Sequence, residues 1–137
     1  MQRFIIVASI ILCAASCHRT PDSAPSEIAQ TFLTAYFQLD YDQILSLCLS
    51  DSPLKSDLEQ RAKAIEALSK GAQDKLRRDL SVYTFQIEQV ETSPTKDSAF
   101  VSYLIHTPEA PEGVPSHLTL VMENRAWKVA KLLKSRM

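Results

Sequence analysis

The hydrophobic period of this chain changes from helical to strand-like near Ser81. Upstream, apolar residues such as Leu54, Leu58 and Ala62 recur at helical spacing, whereas Tyr83, Phe85 and Ile87 alternate with polar residues downstream. The chain is therefore predicted to form helices first and strands afterwards. Two or three helices followed by four consecutive strands favour an α+β fold, with the helices on one face of an antiparallel meander.

The predicted helices are bounded by capping residues. Ser26 is expected to cap the first helix, and Asp40 the second, with Gln43 three residues later as a capping box. Ser52 followed by proline predicts the start of a long helical segment. Gly71 interrupts that segment, which leaves open one kinked helix or two.

The four predicted strands give a register and two faces. A tight turn at 124–125 predicts that Met122 faces Trp127, and we expect Thr107 to pair with Ser116 across the preceding loop. The predicted inner face is Tyr83, Phe85, Ile87, Val101, Tyr103, Ile105, Leu118, Leu120, Met122, Trp127 and Val129. The predicted outer face is Phe100, Leu104, His106, His117, Thr119, Val121, Lys128 and Ala130. This outer face is too apolar for a sheet that meets only water, so it predicts a homodimer.

The amino terminus predicts export. A basic start, the short apolar run 4–12 and the small residues before Cys17 are typical of a signal peptide over residues 1–16. The run is too short to span a bilayer. Ala14-Ala15-Ser16-Cys17 resembles the lipobox of bacterial lipoproteins, although Ala14 stands where leucine is usual. The resemblance implies lipidation of Cys17 and membrane attachment, and His18 after it resembles an outer-membrane address facing the periplasm. Ordinary signal cleavage, giving a secreted periplasmic protein, is the alternative.

The remaining features limit the function classes. Residues 17–25 are predicted to form a lipidated tether and 26–137 a single domain, in which Cys48 is the one remaining cysteine and is expected to be buried. The net charge of −1 gives no basic face for nucleic acid. Two glycines cannot build a glycine-rich phosphate cradle.

Two segments resemble a known superfamily. FLTAYFQLDYDQILSLCL (32–49) is similar to the first helical pair, and LTLVMENRAWKVAKL (118–132) to the final hairpin, of the nuclear transport factor 2-like (NTF2-like, or cystatin-like) superfamily. Arg125 stands where that hairpin usually has glycine. The resemblance implies a cone-shaped roll, with the N-terminal helices packed on a curved four-stranded antiparallel sheet. Small bacterial lipoproteins of unknown function with a lumazine-binding-like domain look most similar in type.

The candidate site residues indicate binding rather than catalysis. Enzymes of the superfamily place acids, histidines and tyrosines inside the cone, whereas the aspartates here fall in helices, the tether or turns, and Glu88 and Glu123 have outer parity. The predicted cone has aromatic pocket-lining candidates but no general base beside them. These candidates are Tyr36, Tyr83, Phe85, Tyr103 and Trp127.

His106 and His117 are predicted to lie opposite each other on the outer face, but two ligands do not make a metal site. We predict no catalytic residue, metal or cofactor. The predicted function is that of a lipid-anchored cell-envelope binding or assembly module, with an unknown envelope protein as its partner. The alternative is a small-molecule carrier or an enzyme, isomerase-like or hydratase-like, that uses the apolar cone.

Overall fold

The computed structural model describes residues 24–134, in which four helices precede four strands. The strands form one antiparallel sheet in the order β1-β2-β3-β4. The predicted α+β class is confirmed, with the helices before a curved four-stranded antiparallel sheet. The elements are α1 (Pro25–Gln38), α2 (Tyr41–Ser46), α3 (Pro53–Glu66), α4 (Lys70–Ser81), β1 (Thr84–Thr92), β2 (Ser98–His106), β3 (Val114–Glu123) and β4 (Ala126–Lys134).

Two of the three predicted helix caps are confirmed. The Asp40 side chain accepts a hydrogen bond from the Gln43 amide at 3.3 Å. Ser52 likewise accepts one from the Lys55 amide, at 3.1 Å. The prediction for Ser26 is wrong, because Ala24 occupies the N-cap position and Pro25 lies in the first turn of α1. Proline is favoured there because its fixed φ suits a helix and its missing N–H would have no partner.

The long helical segment is two helices. α3 ends at Glu66, and the Ser69 side chain caps α4 by accepting a hydrogen bond from the Ala72 amide at 3.2 Å. Gly71 therefore lies inside the first turn of α4, after the break. A serine that can satisfy a free amide at a helix start determines this boundary.

The β3–β4 hairpin has the predicted pairing of Met122 with Trp127. Further along, Thr119 faces Lys131 whereas Leu120 faces Val129, so Ala130 is an extra residue in β4. A second irregularity lies at Glu88 in β1. Such bulges bend a strand and increase its twist, which curves the sheet around the helices.

The predicted β2–β3 register is wrong by four residues. Ser116 faces Tyr103, not Thr107, and β3 begins at Val114. Within residues 24–134 the β3–β4 pairs run as far as Ser116 with Lys134, and Pro115 pairs only with Leu104 of β2, a position where proline is tolerated. Because side chains alternate between the two faces of a sheet, a register change of four residues leaves each side chain on its predicted face.

The core lies between the helices and the concave face of the sheet. The carbonyl of Leu47 and the amide of Leu49 bond to Val129, at 2.8 and 2.9 Å, which covers the middle of the β4 edge. None of the helices within residues 24–134 combines the length and the apolar character needed to span a bilayer. The buried apolar residues are Ala29, Phe32, Leu33, Ala35, Ile44, Cys48, Leu58, Ala99, Val101, Tyr103, Leu118, Leu120, Trp127 and Val129.

Candidate functional site

The five predicted pocket-lining residues do not come together in one pocket. Tyr103 and Trp127 lie in the core, with 2% and 6% of their surface exposed. Tyr83 and Phe85 line one surface cleft, and Tyr36 lines another. Tyr103 and Trp127 are packed in the core at the centre of the cone, and the clefts that contain the other three candidates lie at its edge.

The first cleft, called here the aromatic cleft, lies between α1, the end of α4 and the start of β1. Its volume is about 390 Å³. The Phe37 ring lies 6.2 Å from the Tyr83 ring in an edge-to-face arrangement and 6.0 Å from the Phe85 ring, which it stacks on. The residues that line the aromatic cleft are Gln30, Thr34, Phe37, Gln38, Leu80, Ser81, Tyr83, Thr84 and Phe85.

The second cleft, called here the helix-lined cleft, is formed by helices and the α1–α2 turn alone and has a volume of about 290 Å³. Leu39 ends α1 in a left-handed conformation (φ 57°), and the Asp40 amide bonds to the Ala35 carbonyl at 3.0 Å. This tight turn brings Tyr36 and Tyr41 to the same cleft. The lining is Tyr36, Leu39, Tyr41, Arg61, Ala64, Ile65, Leu76 and Leu80.

The polar end of the helix-lined cleft is made by a guanidinium and two phenols. Arg61 Nη1 donates a hydrogen bond to the Tyr36 hydroxyl at 3.3 Å. Burial raises the pKa of Tyr41, and Tyr36 adds to the effect while Arg61 opposes it. The Tyr41 phenol is therefore neutral at physiological pH, and Arg61 is the charged group of this cleft.

Arg61 and Tyr41 were missed from the sequence as site residues. Arg61 lies three residues after Leu58 and four before Ile65, so it interrupts the apolar stripe of α3 at a helical spacing. A cation at the border of the apolar stripe is the signal that the sequence offers at this position. It could not identify the partner hydroxyl, which is 25 residues away in sequence.

Tyr103, deep in the core, keeps its proton. Burial raises its pKa to about 12, Tyr36 adds to this, and the neighbouring Ser116 side chain acts in the opposite direction. A phenol with this pKa can donate or accept a hydrogen bond at neutral pH but cannot act as a base. Its position favours packing over catalysis.

The two histidines are not opposite each other as predicted. His117 faces Ser102 and stacks on the Phe100 ring at 4.9 Å, whereas His106 faces Thr84 on the other neighbouring strand. His106 therefore lies four residues along β2 from the partner of His117, about 13 Å at the rise of a strand. Within residues 24–134 no group of three or more His, Cys, Asp or Glu side chains is arranged to hold a metal ion.

The 107–113 loop folds back over His106. The His106 Nδ1 lies 2.9 Å from the Pro111 carbonyl oxygen. Gly113 has φ +95°, and a Cβ there would come within 2.9 Å of Leu104 Cβ and 3.0 Å of His106 Cε1. Glycine is needed at this position both for its backbone conformation and for the close approach.

Cys48 is buried, as predicted, with 3% of its surface exposed. Burial raises the pKa of its thiol to about 11, and the cations of Lys55 and Lys128 only partly offset this. The thiol lies 3.3 Å from the Ile44 carbonyl oxygen. Cys17, the predicted lipidation site, and the signal peptide lie outside the described residues.

Comparisons with known proteins give similarities of shape. No protein-family model matches the chain, and no curated protein matches it. Among solved structures, a "putative NTF2-like transpeptidase" from Campylobacter jejuni is 20% identical, with a TM-score of 0.48 over 78% of this chain and 97% of that one. A de novo designed protein with a curved β-sheet is 10% identical, with a TM-score of 0.48 over 80% of this chain and 99% of that one. The intermembrane space region of the chloroplast protein ARC6 is 14% identical, with a TM-score of 0.28 over 77% of this chain and 97% of that one. No residue of this chain takes a role from them.

Proposed function

We propose that this protein is a lipid-anchored binding or assembly module of the bacterial cell envelope, which acts through its surface rather than by catalysis. The observation that carries the proposal is the filled interior of the cone. Tyr103 and Trp127, the candidates deepest in the predicted pocket, are core residues. A partner or ligand must therefore bind at the surface or in the clefts at its edge.

The shifted pKa values of four groups argue against an acid–base role for those groups. Burial raises the pKa of Cys48, Tyr41 and Tyr103, while hydrogen bonds from Thr95 and then Ser93 lower the pKa of the exposed Asp97. Each shift moves the pKa of its group further from neutral pH. A general acid or base works best with a pKa near the pH at which it operates, so these four groups are poorly suited to that role.

In this proposal Cys17 carries the lipid and the domain faces the periplasm, on the outer membrane. Lipid chains contribute about 0.8 kcal/mol per buried CH₂ group, and several chains anchor a protein stably. Seven residues separate Cys17 from the start of α1 at Pro25. Fully extended, they span at most about 25 Å, which keeps the domain close to the bilayer surface.

The anchor is tested by fractionating cells that express the wild type, Cys17→Ser or, as a matched control, Cys48→Ser. We expect the wild type and Cys48→Ser in the membrane fraction, labelled by a fatty-acid analogue, and Cys17→Ser unlabelled and soluble. Crosslinking of the anchored form then identifies the envelope protein it accompanies. An unlabelled wild type in the soluble fraction would instead mean ordinary signal cleavage and a secreted periplasmic protein.

The second candidate function is that of a small-molecule carrier, or an enzyme that uses an apolar pocket. The aromatic cleft and the helix-lined cleft favour it, because both have aromatic or aliphatic walls next to a few polar groups. Mass spectrometry of the protein purified under native conditions distinguishes the two. A small molecule recovered in stoichiometric amount supports the carrier, and an envelope protein recovered by crosslinking supports the assembly module.

We further propose that the outer face of the sheet forms a homodimer. Phe100 and Leu133 on this face are 37% and 47% exposed. The Nδ1 atom of His117 beside them is shielded from water and has no hydrogen-bond partner within the described residues. A second copy would cover the apolar groups of this face.

A further inference from the structure

We infer that the helix-lined cleft binds a small carboxylate with an apolar tail, with Arg61 as the residue that recognises the charge. This site differs from the predicted cone pocket, because residues of the helices and of the α1–α2 turn line it and no strand residue does. The inference does not depend on the lipid anchor or on the homodimer.

The walls of the cleft provide the apolar half of the site. Leu39 closes it at the α1–α2 turn, Ala64 and Ile65 come from α3, and Leu76 and Leu80 come from α4. These side chains are aliphatic, so each ligand methylene buried against them adds to the affinity. A volume of about 290 Å³ lies at the lower end of small-molecule pockets, so the ligand is small.

The polar end provides a single positive charge. A guanidinium has five N–H donors, and the one hydrogen-bond partner of Arg61 within residues 24–134 is the Tyr36 hydroxyl. No carboxylate in that range lies within salt-bridge distance of it, although Asp57 is one turn away on α3. Arg61 therefore has donors to offer to a ligand.

This combination selects a singly charged carboxylate. The planar fork of a guanidinium matches the two oxygens of a carboxylate, and the resulting bonds are stronger than neutral ones. The Tyr41 phenol, which keeps its proton, adds a hydroxyl donor without adding charge. One cation beside neutral hydroxyls balances one negative charge, whereas a phosphate monoester would bring nearly two.

The test uses octanoate, octanol and octylamine as probes of equal chain length and different charge. The protein is the Cys17→Ser chain purified without detergent, which carries no lipid on residue 17 whatever the fate of the wild type. Binding is followed by NMR titration. We expect octanoate to bind at least about threefold more tightly than octanol, and octylamine to bind more weakly than either. The largest shifts are expected at Tyr36, Tyr41, Ile65 and Leu76.

Three variants test whether Arg61 causes the preference for octanoate. Arg61→Met keeps the length of the side chain and is expected to weaken octanoate binding about fivefold while leaving octanol binding unchanged, a modest effect because Arg61 is exposed. Arg61→Lys is expected to keep part of the preference for octanoate. Arg78→Met, the same change on the exposed surface of α4, is expected to bind all three probes as the parent does.

The inference is overturned if octanoate does not bind or binds no better than octanol, or if Arg61→Met leaves the octanoate affinity unchanged. Shifts confined to the aromatic cleft around Phe37 and Phe85 would also overturn it. Because the anchor is absent from the protein used, each of these outcomes leaves the proposed envelope function to be decided by fractionation.

Discussion

The thiol of Cys48 makes stability depend on alkaline pH. Burial raises its pKa from 9.0 to about 11, so the folded state holds the proton that the unfolded chain loses first. The contribution of this group is complete below pH 9 and is lost as the pH rises towards 11. It is on the order of 2 kcal/mol, since one pKa unit corresponds to about 1.4 kcal/mol.

Cys48→Ala is expected to lose that pH dependence. Urea unfolding at pH 8 and at pH 10.5 measures it, and the free energy of unfolding should fall more between the two pH values in the parent than in Cys48→Ala. Lysines and tyrosines titrate in both proteins, so their effect cancels in the comparison. If the free energy of unfolding falls equally in the two proteins, the thiol ionises as readily in the folded state as in the unfolded state.

At the scale of elements, α4 is the least anchored helix. None of its residues (Lys70–Ser81) is fully buried, and its ion pairs, Lys75 with Asp79 and Asp74 with Arg77, are exposed and so contribute little. By contrast, the fully buried Leu58 and the buried N-cap Ser52 anchor α3 to the core. We therefore expect α4 to open without unfolding the rest of the domain.

The two serine caps form a matched pair that tests this difference. Ser52→Ala is expected to lower the global free energy of unfolding by about 1 kcal/mol. Ser69→Ala removes the same kind of hydrogen bond from the start of α4, and is expected to speed amide hydrogen exchange in α4 alone, with little effect on global unfolding. Faster exchange of the Val101 and Leu118 amides in Ser69→Ala would contradict a locally opening α4.

Local signals explain what could be predicted of these elements. The Asp40 and Ser52 caps and the turn between Met122 and Trp127 depend on a few adjacent residues, and all three are present. The β2–β3 register depends on the pairing of Pro115 with Leu104, which no neighbouring residue indicates. The bulge at Ala130 likewise has no distinctive residue in the sequence.

The candidate site was harder to predict than the fold for a related reason. Tyr36 was identified by its aromatic character, but its partner Arg61 lies on another helix. Pairing the two requires the position of α3 relative to the end of α1, which a one-dimensional pattern does not contain. Tyr103 and Trp127 have the pattern of inner-face residues, and that pattern cannot distinguish a side chain that lines a pocket from one that fills it.

At the scale of the whole molecule, the outer face of the sheet is the surface through which the proposed homodimer forms. Leu133 faces His117 from β4, and Phe100, which faces Thr119, stacks on His117 diagonally, so this patch of the outer face presents an aromatic, an imidazole and an aliphatic side chain. The helices cover the other face of the sheet. A twofold contact between two outer faces would repeat the same patch on both copies, as an isologous interface requires.

Phe100→Glu places a charge in that patch and is expected to convert the proposed dimer into a monomer, because a buried, unpaired carboxylate is costly. Val82→Glu is the matched control, since Val82 is a 54% exposed apolar residue at the end of α4, away from the outer face. Sedimentation equilibrium of the Cys17→Ser chain and of the two double variants measures the masses. We expect twice the chain mass for the parent and for Val82→Glu, and the single-chain mass for Phe100→Glu. A parent that sediments at the single-chain mass contradicts the dimer, and a dimer that persists in Phe100→Glu means that the contact uses another surface.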